Sequence, residues 1–499
     1  MSSRAPSSAL ATWLAALLSS LSLLVLGCPG RTEDSPAEGE GEGEGEGEGE
    51  GEGEGEGEGE GEGEGEGEGE GEGEGEGEGE GEPPVLELAH AKQGQGGALV
   101  DWDGDGRDDK LVGAPWANFG NDVGVVLVYP GTAAGFSTVP SAQLNGDDNL
   151  GFSILRLGDV DGDGKAEVAV SALTGDSTDT HLCGSVTIYK GGSNGQVIAK
   201  VGAGQPGAKF GYALAHGDLN ADGVDDLVVG APYQSPDPSL YQQGAVHVFY
   251  GPTFATSTAI LATSTAKGLG WAVGTGDLDN DGTSDLLVAL SGKVLGFRGG
   301  AGFAPVVGTP DLSVAFTATT FGRSLAVTNE YILIGAPKAT VATQRDTGSL
   351  FVLSKAALPR TLDLASAPAD LVVTVNGAGL FSRFSNGLAA VGDVDADGHG
   401  DFIVGATGAD VDANDMRGRA YLFLGSSVGA TTTIANATTF SGTGRYQQYG
   451  TLLAPGASNR LLVGAPGDAG DVGRAFVLDL ATRQPVAGGE SGGLSGMGQ

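Results

Sequence analysis

A nine-residue acidic loop recurs five times along the chain, and its spacing constrains the fold more than any other feature. The loops begin at Asp101, Asp159, Asp218, Asp277 and Asp393, at intervals of 58, 59, 59 and 116 residues. The last interval is twice the first, so a unit lacking the loop lies inside it. That unit runs from Leu325-Ala326-Val327 through Ile332-Leu333-Ile334 to Gly335-Ala336-Pro337. A seventh unit carries Leu461-Leu462-Val463 and Gly464-Ala465-Pro466. The turns that close the apolar runs start at Gly113, Ser171, Gly230, Ala289, Gly335, Gly405 and Gly464, about 58.5 residues apart on average. A repeat of this size reads as one supersecondary unit that buries its surface only against its neighbours.

The apolar runs are strands. Leu227-Val228-Val229, Ala245–Tyr250 and Ala420–Leu424 are short, rich in β-branched and aromatic residues, and bounded by glycine. Each unit has room for four of them. Seven four-stranded units predict an all-β, seven-bladed β-propeller over residues 85–488. The glycine content, 92 of 499 residues, agrees with many tight turns at positive φ.

The motifs identify a resemblance. Gly-Ala-Pro stands at 113–115, 230–232, 335–337 and 464–466; Phe-Gly stands at 210–211 and 321–322. Altered forms are Leu150-Gly151, Leu269-Gly270, Phe384-Ser385 and Tyr449-Gly450. Over about residues 93–480 the chain resembles the FG-GAP repeats of integrin α-subunit propellers and their bacterial relatives. That resemblance implies a ring of blades but names no ligand. Ring closure needs an outer strand for the last blade. Val85-Leu86-Glu87-Leu88 is the expected supplier, with Gln484-Pro485-Val486-Ala487 as the alternative.

The acidic loops carry the chemistry. Asp101, Asp103, Asp105 and Asp109 occupy positions 1, 3, 5 and 9 of the first loop. The same places hold Asp159, Asp161, Asp163 and Glu167; Asp218, Asn220, Asp222 and Asp226; Asp277, Asp279, Asp281 and Asp285; and Asp393, Asp395, Asp397 and Asp401. Position 6 is glycine each time. Hard oxygen donors on a tight turn suit Ca²⁺, with a further ligand expected from the carbonyls at position 7: Arg107, Lys165, Val224, Thr283 and His399. An EF-hand would need Glu at position 12, but Val112, Val170, Val229, Val288 and Val404 stand there, inside a strand. The loop therefore joins two strands and the position-9 acid closes it, a layout the integrin-like family shares. Five Ca²⁺ sites of weak, extracellular-type affinity are expected, as structural staples.

The N-terminus predicts export. An apolar run from Leu14 to Leu26 is too short to span a bilayer and fits a signal peptide over 1–27. Gly27-Cys28 at its end resembles a lipobox, so Cys28 is the expected lipid anchor of a bacterial outer-membrane or cell-surface lipoprotein, with ordinary secretion as the alternative. Residues 28–37 then form an anchored N-terminus. From Glu38 to Glu82 the chain alternates Glu and Gly strictly, 23 Glu and 22 Gly. With nothing apolar to bury and like charges throughout, 38–84 reads as a disordered tether. Residues 489–499 read as a flexible tail. Cys183 is expected to be a small buried or loop cysteine.

The net charge is −40 and still −17 without the tract, which excludes nucleic-acid binding. The loops after Gly-Ala-Pro should emerge on the face opposite the acidic loops. They carry Trp116, Phe119, Tyr233, Tyr241, Arg345 and Arg417, a candidate ligand face. Gly191-Gly-Ser193-Asn-Gly195 fits G-x-S-x-G without the strand-to-helix context that motif needs. The expected function is a monomeric, non-enzymatic adhesion or ligand-binding head for an extracellular protein or glycan. A polysaccharide lyase or hydrolase working in the funnel, or a passive envelope component, are the alternatives.

Overall fold

The computed structural model describes residue 93 and residues 95–117, 123–173, 183–202, 205–235, 242–262, 267–318, 320–410, 415–467 and 473–489. Seven antiparallel sheets follow one another along the chain. Blade 1 comprises Gly97–Val100, Asp109–Ala114, Val123–Tyr129 and Ala142–Asp148. Blade 2 is Leu150–Arg156, Val168–Ala172, Ser185–Tyr189 and Val197–Gly202; blade 3 is Ala213–Gly217, Asp226–Ala231, Ala245–Phe249 and Ser257–Leu261. Blade 4 is Val273–Gly276, Asp285–Leu290, Lys293–Phe297 and Leu312–Ala315; blade 5 is Ser324–Val327, Tyr331–Ala336, Ser349–Ser354 and Leu371–Asn376. Blade 6 is Phe384–Gly392, Asp401–Ala406, Arg419–Phe423 and Thr438–Ser441; blade 7 is Leu453–Pro455, Arg460–Ala465, Arg474–Asp479 and Gln484–Pro485. The first strands of successive blades touch, and the first strand of blade 1 touches that of blade 7, so they line the axis and the ring is closed.

Second strands are buried on both faces; Asp109–Ala114, Asp226–Ala231, Asp285–Leu290 and Asp401–Ala406 are buried at every residue. Both sides of each blade meet a neighbouring blade, which is why these strands read as unbroken apolar runs. The apolar cores lie at the seams. Leu157, Ile188, Leu227 and Phe249 fill the seam between blades 2 and 3, for example, and Leu99, Val112, Leu462 and Val477 that between blades 7 and 1.

Glycines set the distance between blades. A Cβ on Gly230 would stand 2.2 Å from the carbonyl oxygen of Gly270, and one on Gly113 2.0 Å from that of Gly151. The Gly-Ala-Pro glycine of one blade thus abuts the Phe-Gly glycine of the next. The latter has positive φ (+94° at Gly151, +90° at Gly211, +89° at Gly270). Its N–H bonds the Gly-Ala-Pro glycine of its own blade, as from Gly211 to Gly230 (3.1 Å) and Gly322 to Gly335 (2.9 Å). The motif is a backbone-to-backbone seam.

Three expectations are corrected or refined. The outer strand of blade 7 is Gln484–Pro485, bonded to Leu478 and Asp479, and not an N-terminal segment; Val85–Leu88 lies outside the described residues. Among the described residues, the N-terminal side contributes a bridge from buried Gln93 to Gly473. Blade 4 has a fifth strand, Arg360–Asp363, running parallel to Leu312–Ala315 and lent by the blade 5 connection. Blade 4 turns tightly at Ser291-Gly292, and the long blade 5 connection covers its outer edge, which accounts for the uneven spacing there. Cys183, expected to be buried or in a loop, is buried. Cys28, the signal peptide, the tether and residues 490–499 lie outside the described residues.

Candidate metal loops and ligand face

The five acidic loops join the first and second strands of blades 1, 2, 3, 4 and 6. Their backbone follows from the sequence. Position 6 has φ of +84°, +89°, +89°, +86° and +90° at Gly106, Gly164, Gly223, Gly282 and Gly398. The position-1 carboxylate holds this turn by accepting the position-6 N–H, at 3.0 Å in Asp101, 2.9 Å in Asp159 and Asp218, 3.0 Å in Asp277 and 2.8 Å in Asp393.

The position-9 acid works on two connections at once. One oxygen accepts the position-2 N–H, from Trp102 to Asp109 (2.9 Å), Val160 to Glu167 (2.8 Å), Leu219 to Asp226 (3.0 Å), Leu278 to Asp285 (2.7 Å) and Val394 to Asp401 (2.8 Å). The other accepts the N–H of a glycine just beyond the third strand: Gly131 (2.6 Å), Gly191 (3.3 Å), Gly251 (3.2 Å), Gly299 (2.8 Å) and Gly425 (2.8 Å). All five of these acids are buried. Burial pushes the carboxyls of Asp109, Asp226 and Asp285 up to about 6 and raises those of Glu167 and Asp401.

Positions 1, 3 and 9 converge. In Asp101/Asp103/Asp109, Asp159/Asp161/Glu167, Asp277/Asp279/Asp285 and Asp393/Asp395/Asp401, one ligand oxygen from each side chain lies within 4.8 Å of the others. The blade 3 loop, with the amide of Asn220 at position 3, repeats the hydrogen bonds at Asp218 and Asp226. The position-5 carboxylates stand outside these trios; Asp105, Asp163, Asp222, Asp281 and Asp397 accept the N–H of position 7, residues Arg107, Lys165, Val224, Thr283 and His399, at 2.8–3.0 Å. The Asp279 oxygen Oδ1 is buried and has no hydrogen-bond partner. An all-oxygen donor set with an unpartnered carboxylate oxygen fits a hard divalent cation and not zinc or copper.

On the opposite face a second cluster forms. Trp116 and Phe152 meet at 6.3 Å, Phe152 and Tyr212 at 5.8 Å, Tyr212 and Trp271 at 5.0 Å, and Tyr233 and Trp271 at 5.0 Å. The Arg323 guanidinium lies 3.6 Å from the Trp271 ring centroid, completing a half-buried arc across blades 1 to 5. Trp116 and Tyr233 belong to it. Phe152, Tyr212, Trp271 and Arg323 are the residues that sequence reasoning missed. Each directly follows the Phe-Gly glycine, a register that would have disclosed them. Arg345 is exposed elsewhere on this face, and Arg417 pairs with Asp415 at 2.7 Å; Phe119 and Tyr241 lie outside the described residues. Ser193 Oγ donates to Lys190 O at 2.5 Å, which makes the G-x-S-x-G match a tight turn.

Residues 210–249 match the FG-GAP repeat family model. The chain is 30% identical to integrin alpha pat-2 of Caenorhabditis briggsae over 228 residues, 40% of this chain and 18% of that protein. It is 37% identical to integrin alpha-PS2 of Drosophila melanogaster over 163 residues, 31% of this chain and 11% of that protein. It is 39% identical over 90 residues to phosphatidylinositol-glycan-specific phospholipase D of Rattus norvegicus, 17% of this chain and 11% of that protein. The chain therefore spans less than a fifth of the length of these relatives. Among the described residues no helix is long and apolar enough to cross a membrane.

Proposed function

We propose that this chain, an FG-GAP-repeat propeller similar over part of its length to integrin alpha subunits, is an exported adhesion or ligand-binding head, monomeric and tethered to the bacterial surface. The arc Trp116–Phe152–Tyr212–Trp271–Arg323 is the observation that carries this reading. Half-buried aromatic rings in edge-to-face and tilted contact offer area at low entropic cost, the character of binding hot spots. An extracellular protein or a glycan suits such a surface; the body's net charge of −17 disfavours nucleic acid.

Calcium serves this head as a staple. Positions 1, 3 and 9 of the five loops would hold it, and the ion would neutralise carboxylates that otherwise repel one another. The rigid loops would then fix the first and second strands of each blade.

Catalysis is the second reading, favoured by the phospholipase D relative, with a hydrolase or lyase site in the funnel. The described histidines do not converge: His216 contacts Asp225, His247 is buried against Gln234, and His399 faces Glu330.

A glycan and matrix-protein array, probed with and without chelator, tests the binding reading. Capture by the wild type, lost in Trp271→Ala at an unchanged melting temperature, is the expected result. Turnover of a polysaccharide or phospholipid panel with no captured ligand would overturn it. Fatty-acid labelling of the same protein tests the anchor. Label lost in Cys28→Ala supports the anchor, and an intact mass without lipid removes it.

A further inference from the structure

One position differs between blades in a way that bears on the metal loops. It directly precedes the glycine that binds the position-9 carboxylate, and it holds Pro130, Lys190, Tyr250, Arg298 and Leu424 in blades 1, 2, 3, 4 and 6. In two blades it is a cation that reaches its own blade's acidic loop. Lys190 Nζ bonds Asp161 Oδ2 and lies 2.9 Å from Asp163 Oδ2. Arg298 donates from Nε and Nη2 to Asp279 Oδ2 at 3.0 and 2.7 Å, and Nη2 also donates to Leu358 O at 3.0 Å. Lys355, from blade 5, adds positive field at Asp277 and Asp279. By contrast, none of Asp393, Asp395, Asp397 and Asp401 in the blade 6 loop pairs with a Lys or Arg among the described residues. In blade 4 the arginine occupies Oδ2 of Asp279 and the buried Oδ1 has no hydrogen-bond partner, while one oxygen of this carboxylate lies within 4.8 Å of ligand oxygens of Asp277 and Asp285.

We propose that Lys190 and Arg298 are built-in counter-ions. They make the loops of blades 2 and 4 weak calcium sites and hold those loops closed when calcium is scarce, while the blade 6 loop fills first. This rests on the calcium reading above. The reason is Coulombic. A fixed unit charge a few ångströms from a divalent ion opposes its entry, and even after solvent screening a roughly tenfold loss of affinity follows.

Calcium titration calorimetry and melting of the full chain, wild type against Lys190→Gln/Arg298→Gln, provide the test. Two sites in the variant should tighten about tenfold or more. In chelator the variant should melt below wild type, and added calcium should raise its melting temperature by more than it raises the wild type's. Arg298→Lys should keep the blade 4 site weak. Five equivalent sites in the wild type, or a variant that loses stability equally with and without calcium, overturns the proposal and leaves the calcium reading standing. If neither protein takes up calcium, the calcium reading fails and this inference with it. The single variants report one site each should the double variant not fold.

Discussion

Asp226 accepts the Leu219 N–H with one oxygen and the Gly251 N–H with the other, so a single carboxylate ties two connections of blade 3 together. Ala221 and Ala396, at position 4 of their loops, stand at φ of +61° and +60°, where Gly104 and Gly162 have no Cβ to strain. His247 shows the opposite economy, a polar ring kept neutral. It stacks on Phe249, lies edge-on to Phe210, and reaches Gln234 Oε1 through Nε2 at 2.7 Å. Burial lowers its pKa to about 4. The unfolded chain takes up this proton as pH falls through about 6.5, and the folded chain refuses it down to about 4. The stability contributed by the neutral ring is therefore complete above pH 6.5 and is lost as pH falls from there toward 4, to a ceiling of roughly 3 kcal/mol. Urea unfolding at pH 7.5 and 4.5 should show a smaller pH loss in His247→Gln than in wild type. An identical loss in both would refute this account.

Strands become blades through the glycine seam. Because the second strand of each blade is buried on both faces, neighbouring blades can approach only where both backbones lack side chains. Gly230→Ala would drive a methyl group to 2.2 Å from the Gly270 carbonyl. The seam must open or the turn must shift, a cost of roughly 2–4 kcal/mol. A fall of several degrees in the melting temperature is expected, larger than for alanine at the open Gly308, where an added methyl would meet nothing within 4 Å. The seam between blades 5 and 6 shows how a departure is tolerated. Ser385 replaces the glycine at φ +69°, and its Oγ accepts the Ala336 N–H and donates to Ser349 O. The Phe-Gly and Gly-Ala-Pro registers were legible because they recur. The strand Arg360–Asp363 was not, since it occurs once and pairs with a blade that its own repeat does not contain.

The ring is closed by its C-terminal segment. Gln484–Pro485 completes blade 7, and the residues after it dock on blade 1. Ala487 O accepts the Phe136 N–H at 3.0 Å, and Lys110 Nζ donates to Gly488 O and Gly489 O at 3.0 and 3.2 Å. Lys110 is wholly buried, 4.6 Å from the Tyr129 centroid and 5.7 Å from that of Phe136. Two carbonyls and two ring faces thus receive its ammonium. Truncation after Arg483 would remove the outer strand of blade 7 and strip both carbonyls from the buried ammonium, so the shortened chain should unfold at a markedly lower temperature than the full chain. Truncation at Gly489 should leave the melting temperature unchanged. Equal melting of both truncations would contradict a C-terminal closure.

What the sequence determined by itself was everything that repeats: seven units, four strands in each, acidic loops between first and second strands, and valine rather than glutamate at position 12. Periodic signals of this kind are local, because each strand, turn and loop is specified within about ten residues by burial and by φ. Only the tertiary structure decided which residues meet from afar. Lys190 reaches Asp161 across 29 residues, Lys110 reaches Gly488 across 378, and five blades bring Trp116, Phe152, Tyr212, Trp271 and Arg323 into one arc. Those contacts depend on how the sheets turn about a common axis, and no spacing along the chain encodes that angle directly.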